Sequence, residues 1–445
     1  MDKFIVTGGT PLHGEITVGG AKNVALKVLV AALLTDEELI IHNLPLLRDV
    51  FFMLEVLESL GVVHRLNGHT LVIQNKGTKH PTVPLEVGAR LRTSSMVIGP
   101  LLARFGEAKI PNPGGCRLGA RPIDRHIEAL KRMGAEIKYS SDDGYFYGHA
   151  HDGLHGATIE FSKNTHTGTE TLILAAVLAR GTTILKNAAE EIEIDELIGL
   201  LNAMGGKIKR TKKREITIEG VSRLGGTEYS IMPDRNEEVT FALAAAITHG
   251  DIIVRNSQRS ALAAFFEKFT QAGALYEGVD GNSTRYYAGG NMHATDVVTL
   301  PHPGFMTDWQ APWAVFMTQV KGTSTIHETV FESRFSYVQE LAKMGARIEF
   351  FDPPVDKPEA YYNFNWSDRI SGYHQGVRIH GPTKLHNAVL EIDDLRAGAT
   401  LILAALVATG ESYIHGVEQV DRGYEDIESR LKGIGAHIDR IKEDA

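Results

Sequence analysis

One helix ending recurs six times along the 445-residue chain, and nothing else in the sequence limits the fold as tightly. Each copy is an apolar residue, three further residues and a glycine. The copies end at Gly61, Gly134, Gly205, Gly273, Gly345 and Gly435 and are led by Leu57, Leu130, Leu201, Phe269, Leu341 and Leu431. A glycine after an amphipathic run suits a left-handed helix C-terminus, which turns the chain out of the helix and into a strand. Differences between successive glycine positions are 73, 71, 68, 72 and 90 residues.

A second signature alternates with the first: an apolar helix rich in small residues, then a short strand that often closes on Asn. It runs from Leu29–Leu34 to Asn43, from Leu174–Ala179 to Asn187, from Leu243–Ile247 to Asn256 and from Leu403–Val407 to His415. Together the two signatures predict six α/β units, each reading strand, helix, strand, helix, strand, strand. A period of about 70 residues is too long for a solenoid of small repeats, so two domains of three units each are expected. The last interval is about twenty residues too long, which places an insert at 351–381 in the sixth unit. Its prolines, with Tyr361, Tyr362, Phe364, Trp366 and Tyr373, predict an elaborated hairpin packed on its own domain, with a partner-binding surface as the other reading.

Composition enters through exclusions. A net charge of -9 and a pI near 6.1 argue against a general nucleic-acid or anionic-membrane binder, so any anion site must be local. The single cysteine, Cys116, rules out an internal disulfide framework and fits a reducing compartment. Residues 1–6 read as a strand without the apolar core of a signal peptide. Even the apolar run from Asn23 to Leu34 is interrupted by Lys27. A cytoplasmic location is expected.

Charged residues collect where helices begin. Lys22, Arg92, Asp308 and Arg396 precede the first helices of their units, and Asp49, Arg121, Arg334 and Arg422 precede the second. Helix N-termini attract anions, and cations beside them build phosphate or carboxylate sites. Cys116 lies among Pro, Gly and Arg in the stretch 111–122, with Arg117 and Arg121 placed to favour its thiolate. Gly19-Gly20-Ala21-Lys22-Asn23 lacks the spacing of a P-loop. His149, His151 and His155 read as a solvated hairpin, and neither metal nor cofactor is expected.

These motifs resemble those of the enolpyruvyl transferases of the enolpyruvylshikimate-phosphate synthase family, and within it the UDP-N-acetylglucosamine 1-carboxyvinyltransferases. The resemblance rests on residues 19–23, on Pro113-Gly-Gly-Cys116 continuing through Arg121, Pro122 and Asp124, on Glu328 through Phe335, on Asp393-Asp394-Leu395-Arg396, and on Asp421 through Glu425. It covers nearly the whole chain outside the insert. It implies a two-domain inside-out α/β barrel with the active site between the domains, residues 22–232 forming one and 1–21 with 233–445 the other.

The implied reaction moves the enolpyruvyl group of phosphoenolpyruvate to the 3-hydroxyl of UDP-N-acetylglucosamine and releases phosphate, which opens peptidoglycan synthesis. By the same resemblance, Lys22, Arg121, Arg396 and Arg422 would hold the phosphate and carboxylate, and Cys116 would supply general-acid chemistry and react with fosfomycin. Asp308 would accept the hydroxyl proton while also serving as a helix N-cap. Asn23, Arg92 and Asp124 would hold substrate or a closed loop, Pro122, Thr165, Thr167 and Val330 would complete the substrate set, and Asp49 and Arg334 would shape the site. The chain departs from the family at Met96, at Arg125 and at residues 165–169, which read Thr-His-Thr-Gly-Thr in place of Ser-Val-Gly-Ala-Thr. Thr167 there replaces a glycine and is expected to restrict the backbone. The departures keep two other readings open: transfer to a different nucleotide or nucleotide sugar, and a non-catalytic sugar-nucleotide-binding paralogue.

Overall fold

A computed structural model describes residues 2–114 and 122–442. The chain forms two compact units, one from Met1–Gly19 with Pro233–Ala445 and the other from Gly20–Gly115 with Pro122–Met232. Each has its own hydrophobic core.

Each unit holds three sheets of one design: a parallel strand, a central strand, and an antiparallel pair completing the far side. In one unit the central strands are Leu39–His42, Glu107–Pro111 and Thr182–Lys186. In the other they are Asp251–Arg255, Gly322–His327 and Glu411–His415. In the sheet of Glu107–Pro111 the parallel strand shrinks to a single bridge between Thr82 and Lys109.

In each unit one parallel strand comes from a distant part of the chain. His13–Thr17 pairs with Asp251–Arg255, and Thr227–Ser230 pairs with Leu39–His42. The last sheet is closed by the N-terminal strand Lys3–Thr7, which lies between Glu411–His415 and His437–Ile441.

All six repeat glycines adopt the left-handed conformation, with φ between 85° and 102°. In five of them the residue after the glycine donates its N–H five positions back, to the carbonyl of Leu130, Leu201, Phe269, Leu341 or Leu431. That bond marks a Schellman ending, so the leading apolar residue and the glycine form one capping device. Asn43, Asn187 and Asn256 are also left-handed, at φ of 54°, 52° and 60°. Their side-chain amides donate to the carbonyls of Ile231, Phe161 and Val18, just beyond the parallel strands. In the last sheet this turn falls on Gly416, at φ 77°, one residue beyond His415.

The first helix of each repeat is buried on nearly every side. All thirteen residues of Arg235–Ile247 are buried, as are twelve of the thirteen in Leu395–Val407. A helix that is apolar or small all round has no solvent face, so it becomes the centre and the sheets cover it. That is the physical sense of an inside-out arrangement.

The insert belongs elsewhere than its glycine spacing suggested. Arg347–Phe351 and Gly376–Gly381 are antiparallel partners in the fifth sheet, so the insert is the tip of that hairpin rather than part of the sixth unit. Tyr362 stacks on Trp366 at 4.7 Å and donates or accepts a hydrogen bond with His327 at 3.1 Å, which folds the insert back onto its own sheet. Among the described residues no helix is long and apolar enough to cross a membrane.

Candidate active site

Asp308 is the second residue of the helix Thr307–Gln319. The N-cap is Met306, so Asp308 does not cap this helix and its carboxylate points to side chains instead. Oδ1 accepts from Arg334 Nη2 at 2.6 Å, and Arg396 Nη2 lies 3.8 Å from Oδ2. The arginine side chains are only 4% and 5% exposed, against 21% for Asp308.

Arg396 is fixed from several sides. Asp394 caps the helix Leu395–Val407 by accepting from the N–H groups of Arg396 and Ala397, at 2.8 and 3.4 Å. The guanidinium lies over the Tyr424 ring at 5.3 Å, and the Tyr424 hydroxyl meets Thr240 Oγ1 at 2.8 Å. Burial works to lower the Arg396 pKa, but Tyr424, Asp308 and Asp234 overcome it and hold the pKa above its ordinary value. Its Nη1 is buried without a hydrogen-bond partner among the described residues. A buried guanidinium N–H in that state favours an anionic acceptor.

Arg422 closes a short 3-10 turn and donates to Gln419 Oε1 at 3.1 Å. Val330 donates its N–H to Glu328 Oε1 at 2.7 Å. Glu328 also accepts from Thr307 and Phe331, a role that its place in the sequence motif did not reveal.

In the unit from Gly20, Lys22 begins the helix Lys22–Ala31 and Asp49 is the second residue of Arg48–Ser59. Their side chains pair at 2.6 Å and are 9% and 3% exposed. The second of the two glycines before Lys22 is explained by space: a Cβ at Gly20 would sit 1.9 Å from the Asn43 carbonyl oxygen. Lys22 thus enters its helix against a neighbouring backbone that only glycine allows. Asn23 is half-buried one position on.

A second group in this unit gathers around His126. Burial, then Arg92 and Arg125, push its pKa from 6.5 down to about 3, so the imidazole is neutral near pH 7. Its Nε2 lies 3.0 Å from Thr167 Oγ1. Thr165 caps the helix His166–Ala176 by accepting from Gly168 N at 3.2 Å. Thr167 lies in the first turn of this helix, where its backbone is helical and unstrained. Behind it, Glu170 is fully buried between His166 Nε2 at 3.0 Å and Lys27 Nζ at 3.4 Å. Lys27 was visible as a lone cation in an apolar run, whereas its carboxylate partner was not.

Pro122 and Asp124 are exposed at the start of Asp124–Arg132. His149 and His151 stack at 5.7 Å at the end of the strand Tyr145–His149. Cys116, Arg117 and Arg121 lie outside the described residues.

Comparison with known proteins decides the family. Residues 6–431 match the family model described as EPSP synthase (3-phosphoshikimate 1-carboxyvinyltransferase). The chain belongs to the EPSP synthase family. Among curated relatives, UDP-N-acetylglucosamine 1-carboxyvinyltransferase of Acidobacterium capsulatum is 42% identical, the match covering 99% of this chain and 96% of that protein. The protein of the same name from Nitratidesulfovibrio vulgaris is 41% identical over the full length of both.

Among solved structures, the enolpyruvyl transferase NikO from Streptomyces tendae matches with a TM-score of 0.85 at 21% identity, covering 99% of this chain and 98% of that one. EPSP synthase from Acinetobacter baumannii gives a TM-score of 0.73 at 18% identity, covering 99% and 100%. The fold of this EPSP synthase family member is therefore that of the enolpyruvyl transferases. Within each unit, local geometry joins Lys22 to Asp49, Thr167 to His126, and Asp308 to Arg334 and Arg396.

Proposed function

We propose that this protein transfers the enolpyruvyl group of phosphoenolpyruvate to the 3-hydroxyl of UDP-N-acetylglucosamine with release of phosphate, the first committed step of peptidoglycan synthesis. Family membership and the shared name of full-length relatives support the reading. The observation that carries it is the Asp308 carboxylate beside two buried guanidiniums, one of them with an N–H that lacks an acceptor among the described residues.

Asp308 takes the proton of the acceptor hydroxyl as its oxygen attacks C2 of phosphoenolpyruvate. Arg396, with Lys22, Arg121 and Arg422, binds the phosphate and carboxylate and stabilises the charge that builds on the tetrahedral adduct. Cys116 protonates C3 during addition and can also form a covalent adduct with the substrate; a C3 proton is lost again as phosphate leaves C2, which restores the vinyl group. Arg334 orients Asp308, and Asp49 orients Lys22. Asn23, Arg92, Pro122, Asp124, Thr165, Thr167 and Val330 contact the substrates. The leaving phosphate is part of the substrate, so the scheme requires no cofactor. We place the reaction in the cytoplasm, where a lone reactive thiol stays reduced.

One observation favours a second reading, transfer to a different nucleotide or nucleotide sugar: Thr167 engages the neutral imidazole of His126 inside the divergent 165–169 segment. Phosphate release is to be measured with phosphoenolpyruvate and a panel of UDP-sugars and nucleotides. Turnover with UDP-N-acetylglucosamine supports the first reading; turnover only with another acceptor replaces it with the second.

A further inference from the structure

Glu328 is fully buried and stands where the helix carrying Asp308 meets the segment carrying Arg334. Its Oε2 accepts from Thr307 Oγ1 at 2.8 Å, one residue before Asp308. Its Oε1 accepts the N–H groups of Val330 and Phe331, at 2.7 and 3.0 Å. Burial holds its pKa above the ordinary carboxylate value, while Thr307, the Arg334 charge and the two N–H groups work in the opposite direction, toward the ionised form.

Charge links the same groups. Burial works to lower the Arg334 pKa, while Asp394, Asp308 and Glu328 together raise it and Arg396 opposes them. Arg334 therefore divides one positive charge among three carboxylates. The Tyr337 hydroxyl donates to Gln310 Oε1 at 2.8 Å, and burial followed by the Glu328 charge keeps its phenol protonated.

We propose that Glu328 is a positioning residue for enolpyruvyl transfer: it fixes the first turn bearing Asp308 against the Val330–Arg334 segment and limits the pull of Arg334 on Asp308. This deepens the functional reading and rests on Asp308 as the proton acceptor. Without the Glu328 charge, Arg334 would stabilise the Asp308 carboxylate more strongly and make it a weaker base.

Glu328→Gln tests the charge with little change of shape, since the amide oxygen can still accept both backbone N–H groups. The expected result is a roughly tenfold lower kcat, a KM for phosphoenolpyruvate within about twofold of wild type, and an acid limb of the kcat–pH profile moved to lower pH. Glu328→Asp, which keeps the charge, should leave that limb in place. Glu328→Ala tests the anchoring: amide hydrogen exchange at Val330 and Phe331 should quicken at least about tenfold. A folded Glu328→Gln protein with wild-type kcat and an unmoved acid limb overturns the charge role, and unchanged exchange in Glu328→Ala overturns the anchoring. Wild-type turnover is assayed alongside with the full acceptor panel. A wild type that turns over no acceptor removes the functional reading, while the exchange measurement still decides whether Glu328 anchors the segment.

Discussion

Asp308 and Arg334 form an ion pair of 2.6 Å that ties the first turn of one buried helix to the segment leading into the next. Because Arg334 is almost completely buried, the pair holds the Asp308 carboxylate in one orientation while leaving it partly exposed to a substrate. Asp308→Asn keeps the shape and removes the proposed proton acceptor. Steady-state assays of the variant should show kcat reduced by about 10²- to 10⁴-fold with thermal stability little changed. Wild-type turnover would remove Asp308 from the chemistry.

Lys22 and Asp49 are a buried pair, so deleting one removes a buried opposite charge from the other. Asp49→Ala should cost about 3–5 kcal/mol in urea unfolding, because the ammonium is left without its carboxylate. Replacing both by apolar residues, as in Lys22→Met with Asp49→Leu, should recover most of that loss while abolishing activity. A single variant as stable as wild type would show that the pair contributes nothing to the fold.

His126 makes stability depend on pH. Its folded pKa, about 3, lies below the ordinary 6.5, so the unfolded chain takes up the proton first as pH falls. The stabilisation is complete above about pH 6.5 and is lost progressively down to about pH 3. At pH 5.5 the linkage amounts to about 1.4 kcal/mol, whatever the folded value below pH 5. Urea midpoints at pH 7.5 and 5.5 should therefore fall further for wild type than for His126→Gln. Equal falls would contradict a buried, neutral imidazole.

The repeat glycines separate backbone strain from crowding. At Gly205, φ 101°, an added Cβ meets nothing, so Gly205→Ala should cost about 1 kcal/mol from the left-handed backbone alone. At Gly273, φ 85°, the Cβ would lie 2.5 Å from the Asn291 carbonyl oxygen, so Gly273→Ala should cost about 1–3 kcal/mol more. Calorimetric melting of the two variants gives the comparison.

Those glycines also show what the sequence could reveal. A helix ending of this kind is local: its apolar residue and its glycine lie within five positions, so six endings, five of them closed by the Schellman bond, were readable and foretold six α/β units, which the six sheets match. Strand partners far apart in the chain were not. Nothing near Lys3 specifies His415 across from it, and the glycine spacing could not tell that the insert extends a hairpin of the fifth sheet. In the candidate site, cations at helix starts were legible from type and position, but not their partners. Asp49 and Arg334 were recognised singly. The hydrogen bonds of Glu328 to Thr307 and of His126 to Thr167 depend on elements brought together by packing. Cys116 remains a reading of sequence and family.

Product analysis tests enolpyruvyl transfer by this protein most directly. Purified protein is to be incubated with phosphoenolpyruvate and UDP-N-acetylglucosamine, with phosphate counted and the sugar nucleotide examined by NMR and mass spectrometry. One phosphate released per acceptor consumed, with a vinyl ether on the sugar O3, is the predicted result. An unmodified sugar nucleotide, or an enolpyruvyl group found only on a different acceptor, would contradict it.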